Sequence, residues 1–261
     1  RLKYRCLDLL KVLNLRQKEN DMPYIEKIVT AGRTIEIQRY YSHRIHPKGC
    51  KRQKKQKKTT ESQKKINVRK AIDKLRWLLN ENFTGGDMHI RLSYAGTKPD
   101  YDQMKEDKAK FLRKLRAEFK KQEKELKFVH VFEIGKRGAR HHHLVINSID
   151  SKTLRECWPH GSVYVSLLDD TGQYGKLASY LIKEVTEKGE KLPRRYSPSK
   201  NLKIPVAKKR IILERKFFKR DPRPKKGYYI DQQSIFSGFT ADGYQFLKYI
   251  QVKILNQWRK E

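Results

Sequence analysis

Hydrophobic side chains in the middle of the chain follow two periods, one typical of β-strands and one typical of α-helices. The patterns predict strands at 89–95, 127–133, 141–147 and 163–168, and helices at 102–121 and 151–158. In the longer helix, Phe111, Leu115 and Phe119 recur at intervals of four residues. The resulting order, β-α-β-β-α-β, predicts an α+β fold of the split βαβ (ferredoxin- or RRM-like) type. In this fold a four-stranded antiparallel sheet carries helices on one face.

Further elements are predicted on both sides of this region. Helical spacing extends over 62–82 and about 174–186, and residues 24–30 and 33–41 have the pattern of a β-hairpin. Prolines interrupt the pattern after 187, and the aromatic residues of 227–254 indicate short strands or a packed extension. The chain is therefore expected to consist of a basic N-terminal extension (1–66), a central domain (67–205) and a C-terminal extension (206–261).

The chain is strongly basic: its 261 residues include 62 Lys and Arg against 29 Asp and Glu, a formal net charge of +33. This excess favours nucleic acid as the partner, because each phosphate that a cation neutralises releases condensed counterions. Hydrophobic residues make up 37% of the chain, which excludes a wholly disordered basic tail. No apolar run of about 18 residues is present, so no membrane span is expected. Three scattered cysteines predict a reducing, cytoplasmic compartment.

Lysine and arginine are densest in a block between Lys48 and Lys58, where no apolar periodicity survives. A like-charge block of this kind predicts a flexible arm. The arm could grip phosphates, with Lys54 and Lys55 among the contacts, or it could be a solvated linker. The sequence is compatible with both interpretations.

Three consecutive histidines, His141, His142 and His143, lie on a predicted strand. Because side chains alternate along a strand, His141 and His143 share one face about 7 Å apart and can converge on one divalent ion. Glu133 ends the preceding strand, so its carboxylate either joins this pair or is a solvated hairpin residue. Two imidazoles and a carboxylate suit Mg²⁺ or Mn²⁺ acting on phosphate, and Zn²⁺ would also bind.

Tyr180 and Lys183 are one turn apart on the last predicted helix and are therefore neighbours on its surface. A tyrosine phenol has a pKa of about 10 and becomes a useful nucleophile only beside a base, a cation or a polarised phosphate. Lys183 would supply the cation. Tyr174 lies about 240° around the same helix, so a site with two tyrosines on one face is not expected.

Together these residues resemble the HUH endonucleases, in which two histidines flank a bulky, usually hydrophobic residue. The closer resemblance is to rolling-circle replication initiators of bacterial phages, plasmids and integrative elements, and it covers about residues 67–205. The matching segments, besides His141-His142-His143 and Tyr180-x-x-Lys183, are 89–96, 128–133, 135–138, 158–161 and 195–202. The chain departs from the family pattern at its central position, where residue 142 is histidine.

The resemblance implies a replication initiator endonuclease. His141, His143 and Glu133 would hold Mg²⁺ or Mn²⁺ at the scissile phosphate of single-stranded or hairpin origin DNA. Tyr180 would attack that phosphate and give a 5′-phosphotyrosine and a free 3′-OH, which a host DNA polymerase would extend. Lys183 would orient the phosphate. The sequence shows no P-loop, so a host helicase is expected to open the duplex.

Basic and aromatic residues in the matching segments and in the arm are the candidates for DNA binding. They are Arg91, Lys136, Arg137, Arg140, Arg194, Arg195, Tyr196, Lys200, Lys54 and Lys55. The basic residues would contact phosphates. Tyr196 would either stack on a base or pack in its own loop.

Other functions compete with nicking in replication. A non-catalytic RNA-binding module can use the same framework, but its RNP signature is absent and histidines occupy the corresponding strand. Relaxases and single-strand transposases are also HUH enzymes. Relaxases usually carry the tyrosine before the histidine motif, whereas Tyr180 follows it, and transposases of this class are typically shorter.

Overall fold

The computed structural model describes residues 24–42, 60–96, 98–135, 138–186, 195–212, 221–240 and 243–255. They divide into two compact units, each built on a sheet of its own. The histidine unit comprises residues 31–34 and 60–205, and the flanking unit comprises 24–30, 35–42 and 206–255, within the described ranges. The architecture is α+β and is compatible with the predicted split βαβ fold.

The predicted strands and helices between residues 24 and 186 are all present, with ends within two residues of those expected. The strands are β1 (Tyr24–Ala31), β2 (Thr34–Tyr41), β3 (Met88–Ser93), β4 (Phe128–Ile134), β5 (Arg140–Ile146), β6 (Val163–Leu167), β7 (Ser197–Pro198), β8 (Lys208–Ile212), β9 (Tyr228–Ile230), β10 (Phe236–Phe239) and β11 (Gln245–Lys253). The helices are α1 (Glu61–Asn82), α2 (Tyr101–Lys121), α3 (Ser151–Cys157) and α4 (Gly175–Thr186), with a short 3₁₀ helix at Gln232–Ser234. None of the described helices combines the length and apolar composition that a membrane crossing requires.

The sheet of the histidine unit is antiparallel and has the order β6-β3-β5-β4-β7. The histidine strand β5 therefore lies at its centre. The four predicted strands are joined by β7, a two-residue edge strand that the sequence pattern did not predict. In β7, Pro198 stands opposite Val129, a position that proline tolerates because an edge strand needs fewer N–H donors.

Helices cover both faces of this sheet. The back face, which carries Ile90, Leu144 and Ile146, packs against α2 and α3. This is the helical layer of the predicted split βαβ fold. The front face, which carries Val131 and Val145, packs against α1 and α4. The predicted helices on one face are thus supplemented by a second layer, and the middle of the sheet is buried on both sides.

The helices begin where a side chain accepts from the unpaired N–H groups of the first turn. The Asp100 carboxylate accepts from the Gln103 N–H at 2.7 Å at the start of α2. The Asp150 carboxylate accepts from the Thr153 N–H at 2.9 Å at the start of α3. The apolar residues that recur every four positions in α2 are buried, so the predicted amphipathic helix is confirmed.

The flanking unit joins distant parts of the chain in one sheet, with the order β10-β11-β2-β1-β8 and β9 also paired to β11. In the β1–β8 pair, Tyr24 stands opposite Ile212 and Glu26 opposite Arg210. Glu26 is 2% exposed and accepts hydrogen bonds from Arg39 at 2.8 Å and Arg210 at 2.7 Å. The predicted hairpin and the short C-terminal strands are confirmed, whereas their pairing was not foreseen. The division of the chain into a central domain and two extensions stays a prediction.

Candidate active site

The front face of the central strand brings three of the predicted site residues together. His141 and His143 share that face of β5, and Glu133 of β4 stands directly opposite His141. The Glu133 carboxylate is hydrogen-bonded to Nε2 of His143. His143 is 1% exposed and Glu133 is 7% exposed. Glu133 is therefore part of the histidine cluster and is not a solvated hairpin carboxylate.

A fourth residue, His89 of β3, completes this cluster. Its Nε2 lies 3.1 Å from Nδ1 of His143, and the two rings stack with centroids 5.3 Å apart. Burial, together with the neighbouring His143 and Arg91, lowers the pKa of His89 to about 4, so this imidazole is neutral at physiological pH. One consistent pair of tautomers has His89 donating to Nδ1 of His143 and His143 donating to Glu133.

His89 was not among the predicted site residues, although a signal for it exists. Residues 89, 91 and 93 alternate with the buried residues of β3, so they share the front face with the histidines of β5. His89 stands opposite Val145 and reaches His143 as a diagonal neighbour. That contact depends on the register between two strands more than 50 residues apart in sequence, which the sequence pattern alone does not specify.

Helix α4 places a tyrosine against these imidazoles. Leu181 and Ile182 are buried in the front-face core and hold the helix on the sheet. Tyr180 meets His143 edge-on, with ring centroids 5.6 Å apart and ring planes at 80°, and meets His89 at 6.2 Å and 76°. Tyr180 is 40% exposed. A phenol accessible from solvent therefore lies beside a buried imidazole–carboxylate cluster.

The other predicted residues of α4 agree with the helical spacing. Lys183 is exposed and lies one turn after Tyr180, on the neighbouring helix surface. Tyr174 is 3% exposed and donates its hydroxyl to the Asp169 carbonyl at 3.1 Å. Burial, followed by the nearby carboxylates, raises the pKa of Tyr174 to about 12. Of these two tyrosines, Tyr180 is the one that meets the histidines of the site and is open to solvent.

The donor types on the front face suit a divalent cation, since imidazole and carboxylate are both common ligands. Among the residues that the structure describes, however, no three His, Cys, Asp or Glu side chains are arranged ready to coordinate an ion. The ring nitrogens of His143 are engaged with Glu133 and His89 instead. Metal binding would require Glu133 and His143 to exchange their mutual hydrogen bond for bonds to the ion.

His142 lies on the back face and belongs to a separate polar cluster. Its Nδ1 is 3.0 Å from Nε2 of His130, and its Nε2 is 2.8 Å from the Tyr94 hydroxyl, which donates to Asp107 at 3.2 Å. Burial lowers the pKa of His142 to about 3 and lowers that of His130 as well. A neutral imidazole with both ring nitrogens bonded can occupy a core position. This explains how histidine takes the place of the hydrophobic residue that the HUH pattern usually has here.

Residues 87–188 match a family model of replication-associated proteins, the ORF2 family. The matched range runs from β3 to α4 and contains Glu133, His141, His143 and Tyr180. Over this range the chain is similar to replication-associated proteins, which supports a role in DNA replication and is consistent with a replication initiator. No curated protein and no solved structure matches the chain. The HUH assignment and the nicking chemistry are proposals.

The residues predicted to bind DNA are not all gathered at the front-face cluster. Arg91 is exposed and stands opposite His143 in the sheet register. Arg140, at the start of β5, has the alternation of His142 and therefore the parity of the back face. Arg195 donates to the Asn67 carbonyl of α1 at 3.1 Å.

Two further candidates lie in the loop that contains β7. Tyr196 packs against the front-face core, and burial raises its pKa, so its surroundings are those of a packed loop residue. Lys200 is exposed. The candidates Lys54, Lys55, Lys136, Arg137 and Arg194 lie outside the described residues.

Proposed function

We propose that this chain is a replication initiator endonuclease of the HUH type, which nicks single-stranded origin DNA with Tyr180. The observation that carries the proposal is the contact of Tyr180 with His143 and His89, at the solvent-accessible side of the cluster. A phenol in this position can meet a substrate phosphate and the imidazoles at once. The similarity of residues 87–188 to replication-associated proteins supports the same role.

In the proposed reaction, Oη of Tyr180 forms a bond to the scissile phosphorus and the P–O3′ bond breaks. The phosphate stays with the 5′ end as a phosphotyrosine. The phenolic proton leaves to solvent, and the departing 3′ oxygen takes up a proton to become a free 3′-OH. Because one phosphodiester replaces another, the reverse reaction can rejoin the strand without another source of energy.

The other residues of the cluster would prepare the site for this step. Glu133 and His89 hold the His143 ring from both of its nitrogens, so His89 is a positioning residue. Lys183 would offset negative charge that develops on the phosphate. When bound by His141, His143 and Glu133, Mg²⁺ or Mn²⁺ supplies Lewis-acid polarisation of the phosphate.

The proposed substrate is single-stranded or hairpin origin DNA, and the formal charge of +33 favours such a polyanion. A free 3′-OH is a primer, so the product would be used by a host DNA polymerase. A host helicase would supply the unpaired strand.

The test is a panel of single-stranded hairpin oligonucleotides incubated with the full chain and Mg²⁺ or Mn²⁺. Mass spectrometry should find a covalent oligonucleotide adduct on Tyr180. Tyr180→Phe should abolish the adduct and leave equilibrium DNA binding intact, because only the nucleophilic oxygen is removed.

The matched control is Tyr174→Phe, which removes a hydroxyl from the same helical region but from a buried site that bonds Asp169. This variant should still form the adduct. An adduct that persists in Tyr180→Phe would assign the nucleophile to another residue.

A further inference from the structure

A row of three side chains crosses the front face from the candidate active site to the edge of the sheet. In the antiparallel register, Arg91 of β3 stands opposite His143 of β5 on one side and Tyr164 of β6 on the other. Residues directly opposite each other in a sheet point to the same face. Strands are spaced by about 4.8 Å, so Tyr164 lies about 10 Å from His143 across the sheet.

Tyr164 is unusually open for an aromatic residue of a sheet. It is 59% exposed, and β6 is the edge strand in the described sheet. The Arg91 guanidinium lies 5.5 Å from the centroid of the Tyr164 ring, a cation–π contact that keeps cation and ring side by side. Arg91 is exposed as well. The pair thus offers an aromatic surface and a positive charge to solvent at the same point.

A second exposed residue of the same strand shows that this arrangement is not general for β6. Leu167 is 64% exposed, but it has the parity of Val163 and Val165, which pack against the back-face core. The front-face parity of Tyr164 is shared with the site. Bases of any sequence stack on aromatic rings, and arginine pairs with phosphate, so the pair fits single-stranded DNA.

We propose that Tyr164 and Arg91 form a base-stacking subsite for a nucleotide that flanks the scissile phosphate. Tyr164 receives the base on its exposed ring, and Arg91 pairs with an adjacent phosphate. A base held there leaves a fixed length of backbone between Tyr164 and Tyr180, so the subsite determines which phosphate is attacked. This inference rests on the proposed nicking function, which locates the scissile phosphate at Tyr180.

The test measures binding of labelled oligo(dT) of about 16 nucleotides to the full chain carrying Tyr180→Phe, so that cleavage does not intervene. Tyr164→Ala should weaken binding about 5- to 100-fold, the effect of losing one stacked base. The slope of log affinity against log salt should stay unchanged, because no phosphate contact is lost. Arg91→Gln should instead reduce that slope by about 0.7, the value for one phosphate of a single strand.

Two controls separate stacking from a general effect on the strand. Tyr164→Phe keeps the ring and should retain the affinity, and Leu167→Ala removes an exposed side chain from the opposite face and should also retain it. An unchanged affinity in Tyr164→Ala, or an equal loss in Leu167→Ala, would overturn the subsite.

Photo-crosslinking gives a readout in protein that retains Tyr164. An oligonucleotide in which iodouracil replaces thymine should label Tyr164, as located by mass spectrometry, and absence of label there would also overturn the proposal. If Tyr164 is labelled and Tyr164→Ala weakens binding, but no hairpin gives a tyrosyl adduct, then Tyr164 binds DNA and the nicking proposal fails on its own.

Discussion

The two faces of strand β5 carry similar residues in very different surroundings. On the front face, His143 contacts Glu133, His89 and Tyr180. On the back face, His142 contacts His130 and Tyr94, and Tyr94 donates to Asp107. Each face thus combines imidazoles, a carboxylate and a tyrosine.

The position of the tyrosine distinguishes the two clusters. Tyr94 is bonded to Asp107 and His142, and burial together with the Asp107 charge raises its pKa well above the usual value. Tyr180 is 40% exposed at the rim of its cluster. A phenol that is held in the interior stabilises the fold, whereas one at the surface can reach a phosphate. Composition alone therefore does not identify the active face, and solvent access does.

The largest effect is expected from the front face. His143→Ala should reduce the rate of Mn²⁺-dependent hairpin nicking by at least about 100-fold, because it removes an imidazole from the proposed ligand set. The measurement is the initial rate of cleavage at fixed DNA and metal concentrations. His160→Ala, which removes a partly exposed histidine near Asp107 on the other side of the sheet, should nick normally. Equal rates for His143→Ala and the unaltered protein would refute the metal assignment.

The back face should instead control stability against acid. Folding lowers the pKa of His142 from 6.5 to about 3, so the unfolded chain takes up the proton first as pH falls. The stabilisation from the neutral imidazole is present above about pH 6.5 and is lost as the pH falls towards 3. The free energy of unfolding of metal-free protein should drop by about 2 kcal/mol between pH 6.5 and 4.5 from this residue.

Urea denaturation at the two pH values measures that drop. His142→Leu should show a smaller decrease, because leucine carries no proton. A decrease of the same size in both proteins would mean that other groups account for the acid sensitivity.

A more modest effect is expected for the two tyrosines, and in opposite directions for the two readouts. Tyr94→Phe should lower the free energy of unfolding by about 1–3 kcal/mol, because Asp107 and His142 each lose a buried hydrogen-bond partner. Adduct formation should continue. Tyr180→Phe should change stability little and abolish the adduct. Equilibrium denaturation and the adduct assay, applied to both variants, would expose an exchange of these roles.

The smallest expected effect concerns the basic arm, whose residues lie outside those that the structure describes. Deletion of Lys48–Lys58 should flatten the dependence of DNA affinity on salt, because fewer counterions are displaced. Fluorescence anisotropy over a range of salt concentrations measures the slope. An unaltered slope would favour the interpretation of the arm as a solvated linker.

Much of the histidine unit could be predicted because its signals are local. The strand period placed His141 and His143 on one face, and the helix period separated Tyr180 from Tyr174. The hairpin between β4 and β5 brought Glu133 opposite His141, as a short connection allows. These contacts follow from residues that are close together in sequence.

The remaining features depend on contacts that no local pattern specifies. The pattern of β7 is too short to show a period, because the strand has two residues. His89 joins the site through its register with β5, and Tyr164 through its register with β3. An amphipathic helix shows which of its sides is apolar but not which face of a sheet it covers, so the position of α1 on the front face was not foreseen.

The pairing of β1 with β8 has a consequence for how the chain is made. About 180 residues separate the partners Tyr24 and Ile212. A ribosome that adds about 5–20 residues per second leaves β1 without this neighbour for about 9–36 s. The strands of the histidine unit are translated earlier and can close in that interval. Nascent chains stalled before β8 should therefore expose the hairpin to chaperones and proteases, even where the neighbouring unit is already protected.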